Sequence, residues 1–307
     1  MRRMVALLMA IPVMLIILGA SAGAASAQEE PERVKVGVWI NNVEKVDVPS
    51  QTFTIDFYIW FRYGKLRPDI EFLKGSPAMT LITDEQRENE NYLEYRVRGV
   101  YVGSLNFRDF PFDEHMLTVE LEDKRLGAGK LVFEPDLESG INPDLALPGW
   151  DVKDFKLYTD VHVYPDENYS KFVFGITVYR SKVSALFKVF FPILIITLIS
   201  LLSFAISVKN FGQRVSICVT TLMSAVAYHL AALSGLPSLG YLTLFDRIML
   251  VVYTLFLYNL LVSVQAMRLV EAEKVKQAEE FETRMQNLLP VVAVIFFAIY
   301  VGLLGLL

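Results

Sequence analysis

Cysteine is almost absent from this sequence, and histidine is scarce. The single cysteine, Cys218, lies within a hydrophobic segment, so an intrachain disulfide is excluded and an exported domain must be held together by its core. The three histidines lie in unrelated settings, and no metal-ligand cluster, phosphate-binding loop or nucleophile elbow occurs. The sequence therefore gives little support for an enzyme, and no cofactor is expected.

Excess positive charge is lacking too. Lys and Arg number 29 against 34 Asp and Glu, a net charge of −5, and the acidic excess falls before residue 184. This balance argues against a nucleic-acid partner and favours tolerance or attraction of cations. An internal repeat is also missing, which argues against a secondary transporter.

Apolar residues, by contrast, are abundant. They make up 53% of the 307 residues, and the mean hydropathy is +0.39, which excludes a disordered chain and indicates a membrane protein with a soluble part. Residues 1–27 predict a signal peptide, with Arg2 and Arg3 before an apolar core and small residues up to Ala27 at the cleavage point. The mature chain is then expected to begin outside the cytoplasm.

Residues 28–183 predict an extracellular all-β sandwich. The clearest alternating run spans residues 52–62, and its apolar residues share one face: Phe53, Ile55, Phe57, Ile59 and Phe61. Similar runs occur at 92–102, 115–121, 152–164 and 171–179. Many short antiparallel strands with turn residues between them are typical of a sandwich, and the length suits one domain.

Residues 184–307 predict a four-helix transmembrane bundle. The spans are expected at 184–206, 213–236, 241–267 and 288–307, with a cytoplasmic linker at 268–287. The two connections assigned to the cytoplasm carry Lys and Arg, whereas the outer turn between the second and third spans has neither. The N-terminal domain and the C-terminus are then both extracytoplasmic. The linker is charged and lacks Gly and Pro from 271 to 286, which predicts a continuous helix there.

The second span differs from an ordinary lipid-facing helix because hydroxyls and small residues interrupt it. One stripe at helical spacing is polar at one end and apolar further along: Gln213, Ser216, Thr220, Met223, Ala227, Leu230 and Ser234. A water-filled pore with a dewetting constriction suits this pattern. Periodicity alone fits a small-residue packing face within a helix bundle equally well.

The segment 106–115, NFRDFPFDEH, resembles the FPFD loop of the pentameric ligand-gated ion channels, the Cys-loop receptor family. Residues 68–72 resemble the first binding loop of that family. Three further features follow in the expected order: Arg180, Pro192 and the pair Leu236–Pro237 after the second span. The two loop cysteines are replaced by Gly103 and Leu117, which is typical of prokaryotic members. The core tryptophan is matched by Trp60, whereas the usual aspartate two residues later is Arg62 here. A bacterial or archaeal cell membrane is the expected location.

The resemblance implies a homopentamer whose second spans surround the pore. Met223 and Leu230 are then the expected gate, since rings of apolar side chains shed water. Ser216 and Thr220 offer hydroxyls to permeant ions. The position that usually carries a glutamate in cation channels is Gln213, which has no charge, so cation selectivity is favoured only by the acidic exterior. An anion-selective or poorly selective channel is one alternative, and a non-conducting, membrane-anchored binding module is another.

The resemblance also implies where the two domains are coupled. The expected coupling residues are Phe110, Pro111, Phe112, Asp113, Arg180 and Pro237. Arg180 is a natural ion-pair partner for Asp113 in a partly buried setting. Either residue could instead have a purely structural role, with Asp113 capping a turn and Arg180 ending a strand.

An agonist site between subunits is implied beneath the hairpin tip at 164–169. Its expected residues are Phe72, Lys124, Arg125, Tyr164 and Tyr169. Two tyrosines suit an amine or another cation, whereas the adjacent basic pair suits a carboxylate. His115 and His162 are titratable, but lone histidines on strands are usually satisfied surface residues, and His229 is expected to bond between helices. The agonist and any modulation by divalent cations or pH stay unidentified, and membrane lipids are the other expected partners.

Overall fold

The computed structural model of the protein describes residues 30–303. The predicted signal peptide and the last residues of the predicted final span lie outside the described residues. Strands fill the chain as far as Tyr179, and helices follow from Lys182 onward. Four of these helices are long and apolar enough to cross a membrane.

The N-terminal region is a β-sandwich, as predicted. One sheet has the strand order β4-β5-β2-β1-β7 with β8 also on β1, and the other has the order β3-β6-β10-β9. The strands are β1 (Glu32–Asp47), β2 (Thr52–Tyr63), β3 (Ile70–Phe72), β4 (Ala78–Gln86), β5 (Asn91–Val102), β6 (Glu114–Asp123), β7 (Leu131–Pro135), β8 (Gly140–Ile141), β9 (Asp151–Val163) and β10 (Asn168–Tyr179). β7 and β8 pair with β1 in parallel, whereas the other neighbouring strands pair antiparallel.

The core lies between the two sheets. The alternating apolar residues of β2 are all at most 1% exposed, since successive side chains of a strand point to opposite faces. Phe57 of β2 meets Phe174 of β10 edge to face, with ring centroids 4.9 Å apart. Burial of these apolar side chains stabilises the sandwich, which has no disulfide to do so.

Trp60 and Arg62 of β2 both use Asp136. The indole nitrogen of Trp60 donates to Asp136 Oδ2 at 2.9 Å, and Arg62 Nε lies 3.1 Å from the same oxygen. An arginine is therefore accommodated where the family pattern has an aspartate, because a carboxylate from another segment compensates its charge.

The four spans are α1 (Lys182–Ala205), α2 (Phe211–Leu233), α3 (Leu244–Glu271) and α4 (Val275–Gly302). The first contains a π-helical stretch, Leu186–Phe190, directly before its proline. The third begins with a capping box, in which Thr243 and Asp246 satisfy each other's backbone N–H groups. In α1 and α3, Asn259 donates to the Ser200 carbonyl at 2.7 Å, which ties the two spans together.

The predicted continuous helix at 271–286 is wrong at its start. The third span ends at Glu271, and the next helix begins only at Val275. Between them the chain turns with Glu273 at a φ of 60°, and the N–H of Lys274 returns to the Leu269 carbonyl at 2.9 Å. This closure satisfies the last carbonyls of the helix. The usual glycine signal is missing, so the sequence did not indicate the break.

Candidate functional site

The seven residues of the predicted stripe lie along α2 and at its C-cap, and every one of them is exposed in the subunit. Met223 is 65% exposed and Leu230 is 68% exposed. The side of the helix that packs against the rest of the subunit is formed by other residues: Arg214, Cys218, Thr221 and Ala225. The stripe therefore faces away from the fold of its own subunit.

The hydroxyls of α2 divide into two groups. Thr221 donates to the Ile217 carbonyl at 2.8 Å, and Ser224 donates to the Thr220 carbonyl at 2.9 Å. These two hydroxyls are satisfied by the backbone of the helix itself. Ser216 and Thr220 lie on the exposed stripe, where their hydroxyls can serve a partner outside the subunit.

The beginning of α2 is anchored by a buried ion pair. Arg214 Nη1 lies 2.6 Å from Glu282 Oε1, and the guanidinium also donates to the Ile206 carbonyl. Both side chains are nearly inaccessible, at 2% and 9%. Arg214 thus points into the protein, whereas its neighbour Gln213 stays exposed at the end of the stripe.

Asp113 of the FPFD loop is the centre of a buried charge cluster. Arg180 Nε lies 3.1 Å from Asp113 Oδ1, and His115 Nε2 lies 2.6 Å from Asp113 Oδ2. Burial acts to raise the pKa of Asp113, but the His115 hydrogen bond and the charge of Arg180 outweigh it and hold that pKa below 3.8. The structure therefore brings the expected ion-pair partners together.

His115 differs from the surface residue that the sequence indicated. It is 3% exposed, because the strand residue two positions after Asp113 points into the sandwich, where its ring lies 4.9 Å from Phe107 and 5.3 Å from Trp150. Its burial depends on partners far along the chain, which the local pattern does not reveal.

The FPFD loop docks on the beginning of α3. The N–H of Leu244 donates to the Arg108 carbonyl at 2.7 Å, and the N–H of Phe245 donates to the Phe110 carbonyl at 3.2 Å. The Phe110 and Phe245 rings meet edge to face at 6.4 Å. The bond between Phe110 and Pro111 is cis.

The loop also reaches the first span and the turn that follows the second. Phe112 stacks on Phe190 of α1 at 5.6 Å, and the Phe107 N–H donates to the Tyr241 hydroxyl at 2.9 Å. Tyr241 ends the turn that follows α2, and Pro237 lies half-buried within the same turn. One loop of the sandwich therefore contacts the start of the first span, the turn after the second and the start of the third.

His229 links α2 to α3, as the sequence indicated. Its Nε2 lies 2.9 Å from Asp246 Oδ1, and its Nδ1 lies 2.9 Å from the Tyr253 hydroxyl. Its ring also lies 5.4 Å from Phe245. The upper part of α2 is thus connected to the residue on which the FPFD loop docks.

The hairpin tip brings Tyr164 and Tyr169 together, with ring centroids 5.5 Å apart. Sequence reasoning missed Glu122, whose side chain is 2% exposed. It accepts hydrogen bonds from the Tyr164 hydroxyl at 2.7 Å and from His162 Nδ1 at 2.8 Å. The bond to Glu122 raises the pKa of Tyr164 to about 12. The signal available beforehand was only the alternation of acids along β6.

The other expected ligand residues are engaged elsewhere in the subunit. Phe72 packs edge to face against Phe57 and Tyr101 of the sandwich core. Lys124 and Arg125 both pair with Asp69, at 3.1 Å and 3.0 Å. Asp69 therefore compensates the basic pair that suited a carboxylate ligand.

Within residues 30–303, no three His, Cys, Asp or Glu side chains are grouped so that they could hold a metal ion. A cavity of about 690 Å³ lies between the sandwich and the first span. Trp150 and Arg180 line it together with Lys188. Through Arg180 and Trp150 it borders the Asp113 cluster.

No protein-family model matches the chain. A curated protein of Gloeobacter violaceus, described as a proton-gated ion channel, is 23% identical to it over 279 residues. The match covers 81% of this chain and 77% of the relative. The resemblance to the pentameric ligand-gated ion channels is confirmed.

The relative is described as an ion channel, which agrees with the expectation that this chain is not an enzyme. The sandwich followed by four apolar helices is the fold that the pentameric ligand-gated ion channels share. With its four helices the chain is a membrane protein.

Proposed function

We propose that this chain is one subunit of a homopentameric, ligand-gated ion channel whose pore is lined by α2. The observation that carries the proposal is the exposed stripe. A membrane helix that packs one face within its subunit and leaves hydroxyls and two large apolar side chains on the other needs a partner for that face. Copies of the same helix around an aqueous axis supply it.

The gate in this proposal is formed by Met223 and Leu230. When the helices lean inward, rings of these side chains narrow the pore and expel water from it. Ser216 and Thr220, nearer the beginning of α2, then face a partly hydrated ion. Ala227 and Ser234 leave wider sections between and beyond the two rings.

The channel is proposed to prefer cations. Arg214 is neutralised by Glu282 inside the subunit, so Gln213 is left as the polar group at that end of the stripe. The acidic sandwich raises the local concentration of cations at the opposite end. Anion selectivity is the competing proposal, because a ring of glutamines repels neither sign of charge.

Coupling is proposed to run through the FPFD loop. Asp113 holds Arg180, which directly precedes α1, while the same loop contacts Tyr241 and Phe245. A displacement of the sandwich is therefore transmitted to three spans at once. In this arrangement the N-terminal domain and the C-terminus are extracytoplasmic.

The agonist is proposed to be an organic cation that binds at the hairpin tip. Glu122 supplies a buried negative charge beside Tyr164 and Tyr169, and aromatic faces attract cations. Asp69 compensates the nearby Lys124 and Arg125. Protons are the competing stimulus, since the relative is described as proton-gated.

Ion flux through purified protein in liposomes tests the proposal. Met223→Ala removes the larger part of one apolar ring, so we expect a resting leak that the wild-type protein lacks. Val226→Ala is the matched control, because Val226 is exposed on the same helix but lies off the stripe. A leak of equal size from both variants would show that the gate is wrongly assigned.

A membrane-anchored binding module is the alternative that the same experiment decides. Such a protein would give no flux above empty liposomes, either as wild type or as Met223→Ala. Flux that depends on Met223 would exclude it.

A further inference from the structure

His115 occupies an unusual electrostatic position. It shares the Asp113 carboxylate with Arg180, each contacting a different oxygen, at 2.6 Å and 3.1 Å. Its other ring nitrogen, Nδ1, is buried and has no hydrogen-bond partner among the described residues. The ring is otherwise enclosed by Phe107 and Trp150. A neutral imidazole that donates from Nε2 fits this setting without introducing a second positive charge.

We propose that His115 is a proton-binding site that regulates the junction between the sandwich and the first span. A proton that binds Nδ1 turns His115 into a cation next to the carboxylate that holds Arg180. Two cations then compete for the single buried carboxylate of Asp113. The ion pair between Asp113 and Arg180, the more exposed of the two cations, is weakened. The proposal rests on the channel function proposed above.

Other charged groups near His115 leave this competition intact. Val178 of β10 lies opposite His115 in the sheet, and Phe107 and Trp150 are uncharged. Three pairs of charged side chains lie on the adjacent strands and spans: Glu114 with Lys153, Asp154 with Lys156, and Asp246 with His229. Arg247 of α3 is bonded instead to the Thr243 and Arg108 carbonyls. Asp109, Asp151, Lys182 and Lys188 are exposed to solvent. Asp113 and Arg180 are therefore the charges in contact with the site.

The direction of the effect follows from the geometry. Arg180 lies two residues before α1, so the bond to Asp113 links the FPFD loop to that span. Protonation of His115 weakens this link, and the channel then opens less readily. Acidification is therefore expected to lower the open probability.

Tryptophan emission tests the proton site without requiring a current. An imidazolium in contact with an indole quenches its fluorescence, and Trp150 is the indole next to His115. We expect the emission of the intact protein to fall in a single step as the pH is lowered. His115→Gln keeps a donor for Asp113 but does not titrate, so the step should be lost. Trp150→Phe should remove it too, in a protein that keeps His115. A step that persists in either variant would overturn the proposal.

Flux in the Met223→Ala background tests the regulation, because that background is expected to conduct without an agonist. External acidification should reduce the flux severalfold, and adding His115→Gln should make it independent of pH. Flux that rises with acid, or a pH response that survives His115→Gln, would overturn the regulatory role. If this background does not conduct at any pH, the proposed function fails, and the emission step still decides whether His115 binds the proton.

Discussion

Asp113 shows how one residue can combine structural and coupling roles. Its carboxylate is buried and contacts two side chains from different parts of the sheet, Arg180 and His115. Removing one partner of a buried pair leaves an uncompensated charge, which costs more than removing the pair. The consequences for folding and for coupling can therefore be separated by choosing which partner is changed.

Arg180→Gln is expected to destabilise the protein more than Asp113→Asn does, by about 2 kcal/mol, because it leaves the buried carboxylate with less compensation. The double variant should be close to Asp113→Asn alone. Thermal unfolding in detergent, followed for all three variants, measures this. Lys153→Gln is the control: its pair with Glu114 is about half exposed, so a much smaller loss is expected. Equal effects of Arg180→Gln and Lys153→Gln would contradict the assignment.

Asp113 also predicts how stability depends on pH. Its pKa is lower in the folded protein than the ordinary value of 3.8, so the unfolded chain takes up a proton first. The stabilisation is complete above pH 3.8 and is lost as the pH falls through the folded pKa. We expect the unfolding temperature of the wild type to drop in this acidic window and that of Asp113→Asn to drop less. Parallel curves for the two proteins would show that Asp113 is not responsible.

At the scale of single elements, the second span depends on another buried pair. Glu282→Gln leaves Arg214 charged and buried, and we expect a loss of about 3 kcal/mol in unfolding free energy. Glu280→Gln, on the same helix but exposed, should leave stability nearly unchanged. Thermal unfolding of the two variants measures the difference. If Glu282→Gln behaved like Glu280→Gln, the pair would contribute little.

The sequence predicts an element well when the pattern that determines it lies within a few neighbouring residues. The strand at β2 follows from alternation that is visible within a few residues, and the spans follow from long apolar runs. Glu122 and Glu282 have partners 40 and 68 positions away, which no local period encodes. The ring of His115 packs on Trp150, which lies on another segment of the sandwich. The break after Glu271 was missed because no glycine marks it.

At the scale of the whole molecule, the proposed assembly is a pentamer with a cation-selective pore. Native mass spectrometry of the protein in detergent should give a mass of five subunits. Reversal potentials under asymmetric salt should move towards the value set by the cation. A dimer or tetramer would contradict the stripe as a shared pore wall, and a shift towards the anion value would favour the competing selectivity.

The second span is fastened near both ends and only loosely in between. Arg214 fixes its beginning to Glu282, and His229 fixes its upper part to Asp246, whereas its buried middle consists of small side chains such as Ala225. We therefore expect the span to tilt about its attachment at Arg214. Because His229 of the second span holds Asp246 of the third, we expect a tilt of either helix to be passed to the other.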